Sequence, residues 1–249
     1  RKWRLGFYEL GLISYKTPLK EEQGKITKTG KALLETSNDA ELQDVYFRII
    51  YNLEMRKKKM SFRPVTLILK VIKLLREAGL RESINQKEFS VSIQDFRPEL
   101  TSNDYFNEIV EFRKNVELNK GNLRNFYEKS FENVYKRNGN TPSITTFSKD
   151  YPDVTFRFLK LSGLFRTEGS KLILNSQYDK LLDVLSTDDA ISESEENYYS
   201  KIANLPEIPI DVNRDILESI VTENFETLKA APLEIKKLNN EDLRYLRIN

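Results

Sequence analysis

Apolar residues recur at helical spacing through most of the chain. From Pro64 to Ala78, Val65, Ile68, Ile72 and Leu75 line one face, and Leu67, Val71, Leu74 and Ala78 a neighbouring one. Lys70, Lys73 and Glu77 leave only a narrow polar stripe, so this stretch predicts a deeply buried central helix that Gly79 stops. Residues 39–55 predict a second helix, carrying Leu42, Val45, Tyr46, Ile49, Ile50 and Leu53. After Leu80 the pattern predicts a turn and a short helix to Ile93, with Ser83 as a cap, broken by Arg97-Pro98-Glu99. Asn103 is placed to cap a helix bearing Tyr105, Ile109, Phe112 and Val116. Gly121-Asn122 separates it from another with Leu123, Tyr127, Phe131 and Val134. Base stacking is one use for these aromatics, but their helical spacing favours core packing.

Two stretches leave the helical rhythm in the same way. In the first, Pro152 suits the start of a helix, and Val154, Phe158 and Leu161 form an apolar face. Asp153, Arg157 and Lys160 share another face. Gly163 is placed to stop that helix. Residues 164–167 and 170–174 then flank Glu168-Gly169, a two-residue hairpin signal. Asn175 or Ser176 can cap a last helix. A basic helix followed at once by a hairpin is how a winged helix-turn-helix presents its reading helix and wing. Residues 1–36 repeat the plan. Trp3, Phe7 and Leu10 form the apolar face, with Arg1 and Arg4 on the other side. Gly11 ends the helix, Thr17 to Gly24 is the wing tip, Lys25-Ile26-Thr27 the return strand, and Gly30 to Leu34 enters a helix. The predicted fold is therefore mainly α with small β-hairpins: tandem winged helix-turn-helix units followed by a helical linker.

Composition narrows the chemistry. In 249 residues, 39% are hydrophobic and 11% aromatic, enough for a folded core. The net charge is only +2, so any nucleic-acid footprint must be local. The absence of cysteine removes disulfides, thiolate metal sites and cysteine nucleophiles. The absence of histidine removes the commonest general base and metal ligand, so no Ser-His-Asp triad or ordinary zinc site can be built. No apolar run is long enough to span a bilayer and no signal peptide opens the chain, so the expected location is the cytoplasm, with no membrane partner. The chain starts without Met in an apolar-periodic segment and ends in one that still reads helical, as expected for a piece of a larger protein.

Basic and hydroxyl residues gather in four places. The run Arg56-Lys57-Lys58-Lys59 to Arg63 joins two helices and reads as a phosphate-contacting loop or as a solvated linker. The polar stretch from Lys136 to Lys149 offers Thr145, Thr146, Ser148 and Lys149 to DNA, or is a plain surface loop. Arg157 and Lys160, with Asp153 beside them, are the candidates for base edges or flanking phosphates, and Arg can grip guanine bidentately. Arg166 and Lys171 let the wing touch phosphate, and Arg1 and Arg4 serve the N-terminal unit. Beyond Leu185, Asp188, Asp189, Glu193, Glu195 and Glu196 form an acidic segment that DNA repels. Helices are expected from Val212 to Lys229 and from Pro232 to Ile248. These shifts divide the chain into a first unit with its connecting helix (1–60), a second unit (61–186) and a helical linker (187–249).

The order of features resembles the AlwI-type family of type II restriction endonucleases, which includes nicking enzymes. The matching stretches are Gly11 to Leu34, Arg63 to Leu80, Glu108 to Arg113, Phe126 to Tyr135 and Arg157 to Asn175. None is a catalytic signature. The resemblance implies a recognition region for double-stranded DNA with a short asymmetric site, in a bacterial restriction-modification system. It also implies a separate C-terminal nuclease domain in cis, or a second nuclease subunit, using Mg²⁺ through a PD-(D/E)xK arrangement. Here Pro152-Asp153 and Glu234-Ile235-Lys236 match that short pattern by chance. The chain itself is then expected to hold no catalytic or metal-binding residues and no cofactor. A winged-helix transcription regulator, a replication initiator and a protein-interaction scaffold are the rival expectations.

Overall fold

The structure is a computed structural model that describes residues 2–14, 24–57, 60–137, 143, 145–187 and 190–210. It is mainly helical, with small antiparallel sheets. The helix α4 (Pro64–Glu77) is its centre. Val65, Ile68, Leu69, Val71, Ile72 and Leu75 are all fully buried. Two faces of one helix can be buried only if neighbours cover both. They are α6 (Ser102–Leu118) and α9 (Leu182–Thr187), with α3 (Asp39–Tyr51) alongside. Phe47, Ile50 and Tyr51 of α3 join this core, while Val45 and Ile49 join a second, smaller cluster with Tyr198 and Ile202 of α10 (Glu195–Ala203).

The N-terminal elements are α1 (Lys2–Glu9), β1 (Ile13–Ser14), β2 (Lys25–Ile26) and α2 (Lys28–Leu34), and the second cluster packs α10 against Leu10 and Leu12, between α1 and β1, and against Ala32 and Leu33 of α2. Thr29 Oγ1 donates to the Ile202 carbonyl (2.5 Å) and accepts from the Leu205 N–H (2.7 Å). A Cβ at Gly11 would stand 2.6 Å from the Ile202 oxygen, and Gly11 has φ +69°, so glycine alone fits there. The segment C-terminal to residue 187 thus returns to the N-terminal elements within the described residues.

Several elements differ from the sequence expectations. The helix expected to run to residue 55 ends at Tyr51, and the described residues that flank Lys58-Lys59 form a strand pair, β3 (Met55–Lys57) and β4 (Met60–Phe62). Ser83 does not cap a helix. It begins β5 (Ser83–Asn85), which pairs antiparallel with β7 (Lys171–Leu174). The cap of α5 (Gln86–Val91) is Asn85, in a capping box with Glu88. Likewise Thr101, not Asn103, caps α6, with Asp104 reciprocating. The expected loop from Lys136 to Lys149 is helical at both ends: α7 (Leu123–Arg137) takes its start, and a π-helical turn (Thr146–Asp150) its end. Gly30 lies inside α2, which Thr27 caps. The wing tip expected at Thr17 to Gly24 falls almost wholly outside the described residues, as do the helices expected after Val212.

β6 (Phe165–Glu168) completes a three-stranded sheet in the order β5-β7-β6. Glu168 pairs with Lys171, so the hairpin turn is Gly169-Ser170, one residue later than expected. Asn175 bonds through its side chain to the Gly163 carbonyl instead of capping the next helix. No helix among the described residues is long and apolar enough to cross a membrane.

Candidate nucleic-acid interface

The helix α8 (Tyr151–Lys160) continues directly from the π-helical turn and leads through Gly163 (φ +69°) into β6. Two apolar sets on it share one spacing. The sequence favours Val154, Phe158 and Leu161 as the buried face, but the fold buries Pro152, Phe156 and Leu159. Val154 is 62% exposed and Leu161 45%. Phe156 meets Phe89 of α5 edge-to-face at 5.4 Å, while Phe158 of the other set stays half-buried at the edge of the core. The exposed face of α8 therefore carries Tyr151, Val154, Arg157, Lys160 and Leu161.

Two side chains of α5 and one just past it contact the start of this helix. Ser90 Oγ shares its one proton between the Gln86 carbonyl (2.7 Å) and the Ser148 carbonyl (3.1 Å), and Gln94 Nε2, just past α5, donates to the Phe147 carbonyl (2.8 Å). Gln86 Nε2 donates to Asp153 Oδ1 (3.3 Å). Two carbonyls of the π-helical turn thus meet side-chain donors from another part of the fold. On the buried side of α5 itself, Glu88, only 1% exposed, accepts from Arg113 Nε (2.9 Å), Arg81 Nη2 (3.0 Å) and the Asn85 N–H (2.9 Å). Lys87 lies over the Tyr127 ring at 3.4 Å, and partial burial lowers its pKa.

The candidate contacts divide as follows. Arg157 projects outward, 77% exposed at its side chain, with Nη2 ion-paired to Asp153 Oδ2 (2.6 Å). Lys160, Lys149 and Thr145 are exposed. Thr146 accepts from Ser143 Oγ (3.1 Å), and Ser148 Oγ reaches the Thr145 carbonyl (3.5 Å). On the β6–β7 hairpin, Arg166 is exposed and ion-paired to Glu168, and Lys171, the strand partner of Glu168, is half-buried. The fold brings Lys149, Asp153, Arg157 and Lys160 to one helical segment beside the β6–β7 hairpin. Arg63 is a correction: at 3% exposed it donates to the Tyr51 carbonyl (3.0 Å) and Asn52 Oδ1 (3.1 Å), because the chain reverses there from β4 into α4. It is held inside the fold rather than offered to phosphate. Arg56 and Lys57 lie in β3 and Arg4 in α1, with side chains outside the described residues; Arg1, Lys58 and Lys59 lie outside them altogether. Sequence reasoning missed Gln86. Its partner Asp153 is 67 residues away, and no local pattern signals such a pairing.

Among the described residues no three acidic side chains converge as a metal-holding group. Asp153 of the Pro-Asp pair faces Arg157 and Gln86, not a second carboxylate, so it does not fit a Mg²⁺ site.

The comparisons with known proteins follow the same line. No curated protein sequence matches the chain. A similar solved structure is the crystal structure of pyrene- and phenanthrene-modified DNA in complex with the BpuJ1 endonuclease binding domain. It superposes with a TM-score of 0.53 over 82% of this chain and 75% of that one, at 11% identity, which is a likeness of fold. The profile of the AlwI restriction endonuclease family matches residues 8–248. With nearly its whole length matched, the chain belongs to the AlwI restriction endonuclease family.

Proposed function

We propose that this chain recognises double-stranded DNA by sequence, as the recognition region of a restriction endonuclease that cuts or nicks outside a short asymmetric site. The carrying observation is α8, whose aromatic face is anchored on α5 while Arg157 and Lys160 point outward next to a hairpin. The order α4, β5, α5, α8, β6, β7, with the last strand in the middle of the sheet, supports reading this part as a winged helix-turn-helix. The helix pair α6–α7 is inserted between its second and third helices. The N-terminal helix, Gly11, strand pair and α2 support a second such unit. The similar BpuJ1 binding domain was crystallised with DNA. In this account α8 enters the major groove, Arg157 reads a base edge, and Lys149, Lys160 and the hydroxyls of Thr145, Thr146 and Ser148 hold phosphate. Arg166 and Lys171 extend that contact through the wing. Arg1, Arg4, Arg56, Lys57, Lys58 and Lys59 supply further phosphate contacts. We assign cutting to a Mg²⁺-dependent nuclease domain in cis or to a second nuclease subunit, as the family pattern implies. Residues 187–249 then lead toward it. The chain acts in the bacterial cytoplasm.

Gel-shift titration of Arg157→Ala and Lys160→Ala tests the assignment. Arg157→Ala weakens binding to the cognate duplex between about 5- and 100-fold and relaxes choice at one base pair. Lys160→Ala weakens cognate and random duplexes alike and reduces the salt slope by about one. Unchanged affinity in both variants contradicts α8 as the reading helix.

A further inference from the structure

The reading face of α8 contains a carboxylate, which DNA phosphates repel. Each oxygen of Asp153 nevertheless has a partner. Its Oδ2 lies 2.6 Å from Arg157 Nη2, and its Oδ1 accepts from Gln86 Nε2 at 3.3 Å. The Gln86 backbone is tied to the hairpin, since its N–H donates to the Ser170 carbonyl (2.9 Å) in the turn. One line of contacts thus runs from the wing through Gln86 and Asp153 to the guanidinium. An ion pair this exposed, four residues apart on a helix, contributes little to stability. Its effect is on geometry: a long side chain with many rotamers is held in one of them.

We propose that Asp153 is a positioning residue for Arg157, and that Gln86, Asp153 and Arg157 together form a site for the N7/O6 edge of one guanine. Asp153 holds one terminal nitrogen of the guanidinium. The exposed remainder carries the donors that a guanine edge accepts in pairs. The proposal rests on the DNA-recognition reading and adds a division of labour within it. Arg157 touches the base, Asp153 orients Arg157, and Gln86 orients Asp153. Neither Asp153 nor Gln86 needs to touch DNA.

The test uses the full chain, the duplex it selects from a random pool, all single base-pair variants of that duplex, and a random-sequence duplex, at one salt concentration. Asp153→Asn keeps the side chain's shape and removes the charge. It is expected to lose discrimination by about tenfold at the same base pair that Arg157→Ala relaxes. Its affinity for the random duplex rises, because a negative charge has left the interface. Gln86→Ala gives a smaller loss at that base pair. Melting temperature stays within a few degrees in each, which separates positioning from the helix-dipole benefit of an acidic residue in a first turn. Wild-type discrimination in Asp153→Asn overturns the proposal, as does relaxation at a different base pair or a parallel fall for the random duplex; recognition by α8 then stands. A wild-type chain that selects no duplex overturns the DNA-recognition reading itself.

Discussion

Replacing Glu88 with alanine lowers the unfolding free energy by about 3–5 kcal/mol. The carboxylate is buried and serves Arg113, Arg81 and the Asn85 N–H at once. Removing it leaves a half-buried guanidinium, Arg113, without its counter-charge, and breaks the capping box that starts α5. For a chain of this size the melting midpoint falls by about 10 °C. The effect is also directional. α5 supplies the donors that hold the π-helical turn and Asp153, so DNA selectivity falls in Glu88→Ala even at temperatures where the fold survives. Thermal melting of Glu88→Ala beside Arg124→Ala provides the contrast. Arg124 pairs with Glu128 on the open surface of α7 and leaves the midpoint in place. A Glu88→Ala midpoint equal to wild type contradicts a buried structural role.

Phe156→Ala has a comparable effect, about 3–5 kcal/mol, because the ring fills the interface between α8 and α5 and its loss leaves a cavity there. Val154→Ala, two residues earlier, leaves stability unchanged within the error of denaturant titration, since that side chain already faces solvent. The pair of variants decides which face of α8 is inside. Equal destabilisation by both would contradict the orientation described, and with it the outward placement of Arg157.

That pair also illustrates what the amino-acid pattern could and could not convey. α4 was legible because two adjoining apolar rows leave room for only one polar stripe, and a single turn of phase decides nothing in a helix buried nearly all round. The β6–β7 hairpin was legible because Gly169 (φ +59°) marks its turn. α8 carries two apolar sets of equal spacing, so periodicity has no means of choosing between them; the choice falls to Phe89, far away in sequence. β5 is three residues long, too short for a period of two to register, and its partner β7 lies 86 or more residues downstream, since Asn85 pairs with Lys171. Arg63 was misplaced because a basic run suggests solvent, whereas its guanidinium satisfies groups at the end of α3. For the site, the outward arginine and lysine of α8 were visible as a polar stripe. The Gln86–Asp153 contact beside Arg157 belongs to tertiary structure alone.

The central claim is that this chain chooses a DNA sequence through α8. Selection from a pool of random duplexes, at stated moderate salt, tests it most directly. The account predicts that the wild-type chain enriches one short asymmetric site and that Arg157→Ala loses enrichment at one base pair of it. A pool that remains random after selection by a folded wild-type chain, or one that Arg157→Ala with Lys160→Ala enriches identically, would contradict it.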